Sequence, residues 1–206
     1  MSVLADRINA TARKLPVWSL YILGVLPAVA EYALGLTGRL GVDPVKAIEH
    51  QLGLYALQLL IIGLAITPMR RYLGINLLRF RRAIGLLAFF YVCAHLATWL
   101  LLDIQLLWGQ IWRDILKRPY ITIGMAAFAL MIPLAVTSNN KVLRRMGAAA
   151  WRRLHKLTYL VAVLGAVHFV MLVKGWQLEP LIYLAIILAL LALRLDLGRR
   201  PVMRRA

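Results

Sequence analysis

Apolar residues gather into six runs, at about 17–36, 51–68, 83–102, 119–137, 155–173 and 178–195, each close to the ~20 residues an α-helix needs to cross ~30 Å of hydrocarbon. The connections are short, and no Ser/Gly-rich linker, internal repeat or low-complexity tract interrupts the series. Residues 1–206 therefore read as a single all-α integral membrane domain, a bundle of six transmembrane helices. Arg7, Arg13 and Lys14 precede the first run as they would in a signal peptide. That run is long, has no convincing small-residue cleavage site and is followed by five more, so it is expected to be retained as the first span.

Composition agrees: 62% of residues are hydrophobic, and the mean hydropathy is +0.76. The net charge of +17 would point to nucleic acid on a soluble chain, so its placement matters. Nineteen of the Lys and Arg residues fall on one set of alternate connections, accompanied only by Asp6 and Asp196. The other six, Arg39, Lys46, Arg113, Lys117, Arg118 and Lys174, are matched by Glu31, Asp43, Glu49, Asp103, Asp114 and Glu179. The whole net charge thus lies on one face, which the positive-inside rule makes cytoplasmic, with both termini on that side. The basicity is a signal of topology and anionic lipid, and no nucleic-acid partner is needed to explain it.

The spans give the four histidines depths. His50 falls at the outer end of the second, His155 at the inner end of the fifth, and His95 and His168 inside the third and fifth. Both of those helices run from inside to outside. Twelve steps from Ala83 to His95 give ~18 Å and thirteen from His155 to His168 give ~20 Å, so the two lie at about one level, towards the outer half. Ionisable side chains within spans are costly and usually face the bundle interior. Two imidazoles at matched depth on parallel helices suit the two axial positions of a haem iron. Zinc fits less well, because no Asp or Glu lies near that level and the lone Cys93 does not complete four-coordination.

His155 stands apart. On an ideal helix it is turned ~140° from His168 about the axis, and the positions one haem level below His95 are Arg81 and Arg82. A second haem on a locally bulged helix, a quinone or flavin site, and an interfacial histidine beside Arg152 and Arg153 all remain open for it.

The stretches "DPVKAIEHQLGLYALQLL", "ITPMRRY", "RRAIGLLAFFYVCAHL", "KRPYITIG", "LAVTS" and "WRRLHKLTYLVAVLGAVH", in this order and spacing, resemble the MsrQ (YedZ) family. That family lies within the ferric-reductase-like transmembrane superfamily, which includes NADPH oxidases. The resemblance covers nearly the whole chain. It implies a multi-pass haem b subunit of the bacterial inner membrane that carries electrons from the quinone pool to MsrP, a periplasmic molybdopterin reductase of methionine sulfoxide in proteins. It also implies an association with FMN and with a cytosolic flavin reductase as donor, and a catalytic centre on the partner. The family's haem histidines fall on His95, His155 and His168, and its outer "DP…H…G" motif on Asp43, Pro44, His50 and Gly53. Members often carry Thr before that glycine, where this chain has Leu52.

No GxGxxG fingerprint or soluble flavin or nicotinamide domain is present, so electrons are expected from a lipid-soluble or separate protein donor. Arg81, Arg82, Arg152 and Arg153 flank the two histidine-bearing helices on the inner side and suit haem propionates or a quinone or flavin head group, or topology alone. Cys93 reads as a small buried hydrophobe. Trp99, Trp108, Trp112, Trp151 and Trp176 read as interfacial anchors. The competing readings are a stand-alone haem-dependent ferric reductase, a transporter-like bundle and a purely structural subunit. A transporter would want carboxylates near the midplane or discontinuous helices.

Overall fold

Backbone in hydrocarbon must satisfy its own N–H and C=O groups, and every regular element among the described residues is helical. The computed structural model describes residues 3–173, 175 and 177–195. Lys174, Trp176, Asp196, Arg199, Arg200, Arg204 and Arg205, which contribute to the charge pattern and the interfacial aromatics, lie outside the described residues. The helices are α1 (Val3–Lys14), α2 (Val17–Leu36), α3 (Pro44–Tyr72), α4 (Arg81–Thr98), α5 (Trp108–Lys117), α6 (Pro119–Val136), α7 (Asn140–Met146), α8 (Ala148–Leu154), α9 (Leu157–Leu172) and α10 (Leu178–Leu195). A 3₁₀ turn over Leu78–Phe80 leads into α4, and a π turn over Trp99–Asp103 ends it.

Five described segments are long and apolar enough to cross a membrane: Val17–Leu36, Pro44–Tyr72, Leu78–Asp103, Pro119–Val136 and Ala148–Leu172. The sixth apolar run is α10, which lies antiparallel along α9. Its Tyr183 ring sits 6.0 Å from that of Phe169 near one end. At the other end, Arg194 donates to the Tyr159 hydroxyl at 2.8 Å and to the Leu64 carbonyl at 2.7 Å.

Boundaries differ from the apolar pattern where local chemistry decides them. α3 starts at Pro44 rather than near 51 because the Asp43 side chain accepts the Lys46 N–H at 3.0 Å, and a proline at the first helical position gives up no intrahelical bond. It continues to Tyr72, where Gly74 adopts φ +71 and the Ile75 N–H returns to the Met69 carbonyl at 3.2 Å, closing the helix end. The fifth run is broken: α8 ends at Leu154 and α9 begins at Leu157, so His155 and Lys156 form a turn. The bonds from Lys156 N–H to Arg153 O and from Thr158 N–H to His155 O are of the tighter 3₁₀ type. The ~140° separation of His155 and His168, which assumes one continuous helix, therefore does not apply.

The centre of the bundle lies among α3, α4, α6 and α9, around Leu60, Ala88, Met131, Leu134 and Val161. Ala83, Ala88, Ala162 and Ala166 have no exposed surface, and small residues at such contacts let helix backbones approach closely. α2 packs on the outside of α3 and α4, where Tyr91 donates to the Gly24 carbonyl at 2.7 Å. α1 and α5 are amphipathic and lie beside the spans. Asn9 pins α1 by donating to the Gly74 carbonyl at 2.9 Å and accepting the Asn76 N–H at 2.8 Å. α5 buries Ile111 and Asp114 and leaves Trp108 and Trp112 exposed.

Candidate functional site

His95 on α4 and His168 on α9 meet across the middle of the bundle with ring centroids 6.3 Å apart and planes at 83°. Matched distance along the two helices, expected from helix rise, is a condition for that meeting. Each ring is held in the same way: His95 Nδ1 lies 2.8 Å from the Glu49 carbonyl on α3, and His168 Nδ1 lies 2.7 Å from the Tyr120 carbonyl on α6. A carbonyl can only accept, so each Nδ1 carries the proton and each Nε2 keeps its lone pair.

Both rings line a cavity of about 470 Å³ between α3, α4, α6 and α9. Its deeper wall is apolar, with Leu57, Leu60, Ala127, Met131 and Val161. Polar side chains collect at one end, the mouth, namely Lys46, Glu49, His50 and Arg118. There Lys46 Nζ bonds Asp103 at 2.5 Å and lies 3.7 Å from Glu49. Glu49 Oε2 is buried and accepts no hydrogen bond from the described residues. Arg118 pairs with Asp114 at 3.4 Å and donates to the Tyr120 hydroxyl at 3.3 Å. The Tyr120 hydrogen bond, against an opposing burial cost and with the Asp114 and Asp103 charges adding to it, raises the Arg118 pKa above its ordinary value.

The donor set can be tested against a metal group. Among the described residues no three His, Cys, Asp or Glu side chains converge on one point. The protein thus offers two imidazoles, and an ion between them would take its remaining ligands from outside these side chains. A coordinating imidazole nitrogen stands about 2 Å from its metal and about 1.1 Å from its own ring centre, so one ion shared by both rings would put their centroids no more than about 6.2 Å apart. The observed 6.3 Å lies at that limit. An amphipathic slot, apolar within and charged at its mouth, suits a flat apolar group with carboxylates along one edge.

The other candidate residues lie elsewhere. His50 is exposed at the cavity mouth, edge-on to Phe169 at 5.5 Å. His155 occupies the α8–α9 turn, with Nε2 3.1 Å from the Thr137 hydroxyl and its ring stacked on Trp151 at 3.7 Å. Arg82 donates to the Asn140 side chain at 2.8 Å, while Arg81, Arg152 and Arg153 are exposed. Trp99 is buried at 8% exposure and forms part of the cavity wall, which corrects its assignment to the membrane interface. The Trp151 indole likewise points inward, donating to the Thr137 carbonyl at 2.9 Å. Trp108 and Trp112 are exposed on α5 as interfacial anchors would be. Sequence reasoning missed Gly124, Tyr120 and the carbonyl of Glu49. A glycine inside each apolar helix that packs on a histidine was the available signal.

A membrane helix bundle with paired interior imidazoles is the class to which the comparisons also point: the family described as "Ferric reductase like transmembrane component" matches residues 52–166. A curated relative from Brucella melitensis biotype 2, "Protein-methionine-sulfoxide reductase heme-binding subunit MsrQ", is 53% identical over 187 residues, covering 91% of this chain and 83% of the relative. The protein of the same name from Brucella ovis is 52% identical over the same shares. The chain belongs to the MsrQ family of ferric-reductase-like transmembrane proteins.

Proposed function

We propose that this chain is the haem b electron-transfer subunit of a protein-methionine-sulfoxide reductase, with His95 and His168 as the axial ligands. The observation that carries the reading is the imidazole pair itself, centroids 6.3 Å apart, with both Nδ1 atoms tied to backbone carbonyls. The relatives' name supplies haem and the reductase system. A haem bound there would supply one-electron transfer. The chain's own part is to leave both Nε2 lone pairs free for iron, to keep water from the apolar depth of the slot, and to meet the group's carboxylates at the mouth with Lys46 and Arg118.

Six spans with both termini in the cytoplasm complete the reading. α10 returns antiparallel to α9, and the charge asymmetry sets the direction. Contacts from Arg79 to the Ala12 and Arg13 carbonyls, from Arg82 to Asn140 and from Arg194 to Leu64 gather the basic connections on one face. Electrons enter from the quinone pool or a cytosolic flavin reductase, with FMN, on that inner side, where His155, Arg81, Arg82, Arg152 and Arg153 border the donor. They leave at the mouth near His50 to a periplasmic MsrP docked on the bacterial inner membrane. The test is the visible spectrum of the purified protein before and after dithionite. A Soret and α band that shift on reduction are expected, and their absence overturns the reading. In reconstituted vesicles, MsrP with methionine sulfoxide should reoxidise the reduced protein only from the face bearing His50. Reoxidation only from the face bearing Arg144 and Arg153 overturns the direction.

A further inference from the structure

We infer that Gly53 and Gly124 are positioning residues for the two axial imidazoles, each uncovering one backbone carbonyl of a neighbouring helix so that a histidine Nδ1–H can reach it. The inference rests on the bis-imidazole reading above. Each carbonyl lies four residues before its glycine, Glu49 before Gly53 on α3 and Tyr120 before Gly124 on α6. In an α-helix residue i+4 sits over carbonyl i, and its Cα–Cβ bond tilts back towards the helix N-terminus. A side chain at i+4 therefore crowds the approach to that carbonyl. A Cβ on Gly53 would stand 3.2 Å from His95 Nδ1 and 3.4 Å from its Cε1. On Gly124 it would stand 2.9 Å from His168 Nδ1, closer than real Cβ atoms come, and 3.1 Å from its Cε1. Gly85, also inside a helix, would meet nothing within 4 Å. At two positions, then, the missing Cβ is space that an imidazole occupies.

The arrangement occurs twice with the same parts. α3 and α6 each begin with a proline, Pro44 and Pro119, and each carries a carbonyl and a glycine one turn apart. α4 and α9 each bring the histidine. Repetition on two unrelated stretches of chain argues for a requirement of the histidines rather than an accident of packing. A ligating histidine that donates its second N–H to a carbonyl is fixed in tautomer and ring orientation and becomes a more basic ligand. More basic ligands favour ferric over ferrous iron. Ring planes held at 83° leave the two iron d orbitals that overlap the imidazoles nearly equal in energy, which gives a strongly anisotropic low-spin ferric signal.

The experiment compares the holoprotein with its Gly124→Ala, Gly53→Ala and Gly85→Ala variants by ferric electron paramagnetic resonance, redox titration and haem loss to a soluble apo-globin. Gly124→Ala should move the signal away from the strongly anisotropic form, raise the midpoint potential and speed haem loss about tenfold, the low end of what losing such a partner costs. Gly53→Ala should do the same to a smaller extent, since its neighbour need yield only a few tenths of an ångström. Gly85→Ala should match the parent. Parent-like signal shape and potential in the Gly53 and Gly124 variants overturn the inference, as does an equal change at Gly85. If Gly124→Ala does not accumulate, Gly53→Ala decides by the same two readouts. A parent protein with no Soret band defeats the haem reading itself, an outcome distinct from glycine variants that behave as the parent does.

Discussion

At the level that the charge pattern makes the outer one, His95 and His168 commit Nδ1 to backbone carbonyls at 2.8 and 2.7 Å and keep Nε2 free of them. At the inner level His155 commits Nε2 to the Thr137 hydroxyl at 3.1 Å and lies flat on Trp151, ring centroids 3.7 Å apart. The residue type is the same and the surroundings are not. The outer rings come from the interiors of two helices that glycine-bearing neighbours approach closely, whereas the inner one sits in a turn with aromatic and hydroxyl partners supplied by α6 and α8 sequences. A histidine's role in a membrane therefore depends on which nitrogen the protein engages. Engaging Nδ1 prepares the more projecting nitrogen for a metal. Ligation through His155 Nε2 requires release of Thr137.

The comparison breaks most readily at the outer level. His95→Ala or His168→Ala should each abolish most bound haem, because either loss opens one axial position and unties α4 from α9. Haem-to-protein ratio and the reduced α band measure this, and full occupancy with an unchanged low-spin spectrum would remove the pairing. His155→Ala should leave the outer haem near full occupancy but slow its reduction by a quinol analogue several-fold in membranes. Unaltered rate and content would make His155 a packing residue; loss of half the haem would instead assign it a second group. The smallest effect is expected at the frame that carries the outer level. Asp43→Ala removes the side-chain cap on the Lys46 N–H and should lower stability by about 1 kcal/mol, read as a modest fall in the thermal midpoint with haem content unchanged. A fall in haem content as well would show that the first turn of α3 supports His95 more directly than its capping bond implies.

The histidine pair was legible because rise per residue is a property of any α-helix. Counting from Ala83 and from His155 placed His95 and His168 at nearly one depth, and the α8–α9 break between His155 and Leu157 was too short to spoil the estimate. The break itself was not legible. "WRRLHKLTYL" carries no Pro or Gly to stop a helix, and the turn forms where the Trp151 ring, the His155 ring and Thr137, the residue after α6, come together. Trp99 was misplaced for a related reason. Interfacial depth predicts an anchoring tryptophan, but the π turn directs this ring into the bundle beside Ile104, Ile111 and Ile121.

Residue-by-residue transfer to lipid and helix length were enough to read the membrane class and the helical runs from the chain alone. Helix rise likewise gave how far along its helix each histidine lies. Packing was needed for two of those histidines to face each other at 6.3 Å, for Glu49 and Tyr120 to offer their carbonyls to them, and for Gly53 and Gly124 to make room. Those outcomes depend on the rotation and spacing of α3, α4, α6 and α9 against one another, and helix-to-helix packing is set by side chains far apart in sequence that meet only when the bundle closes.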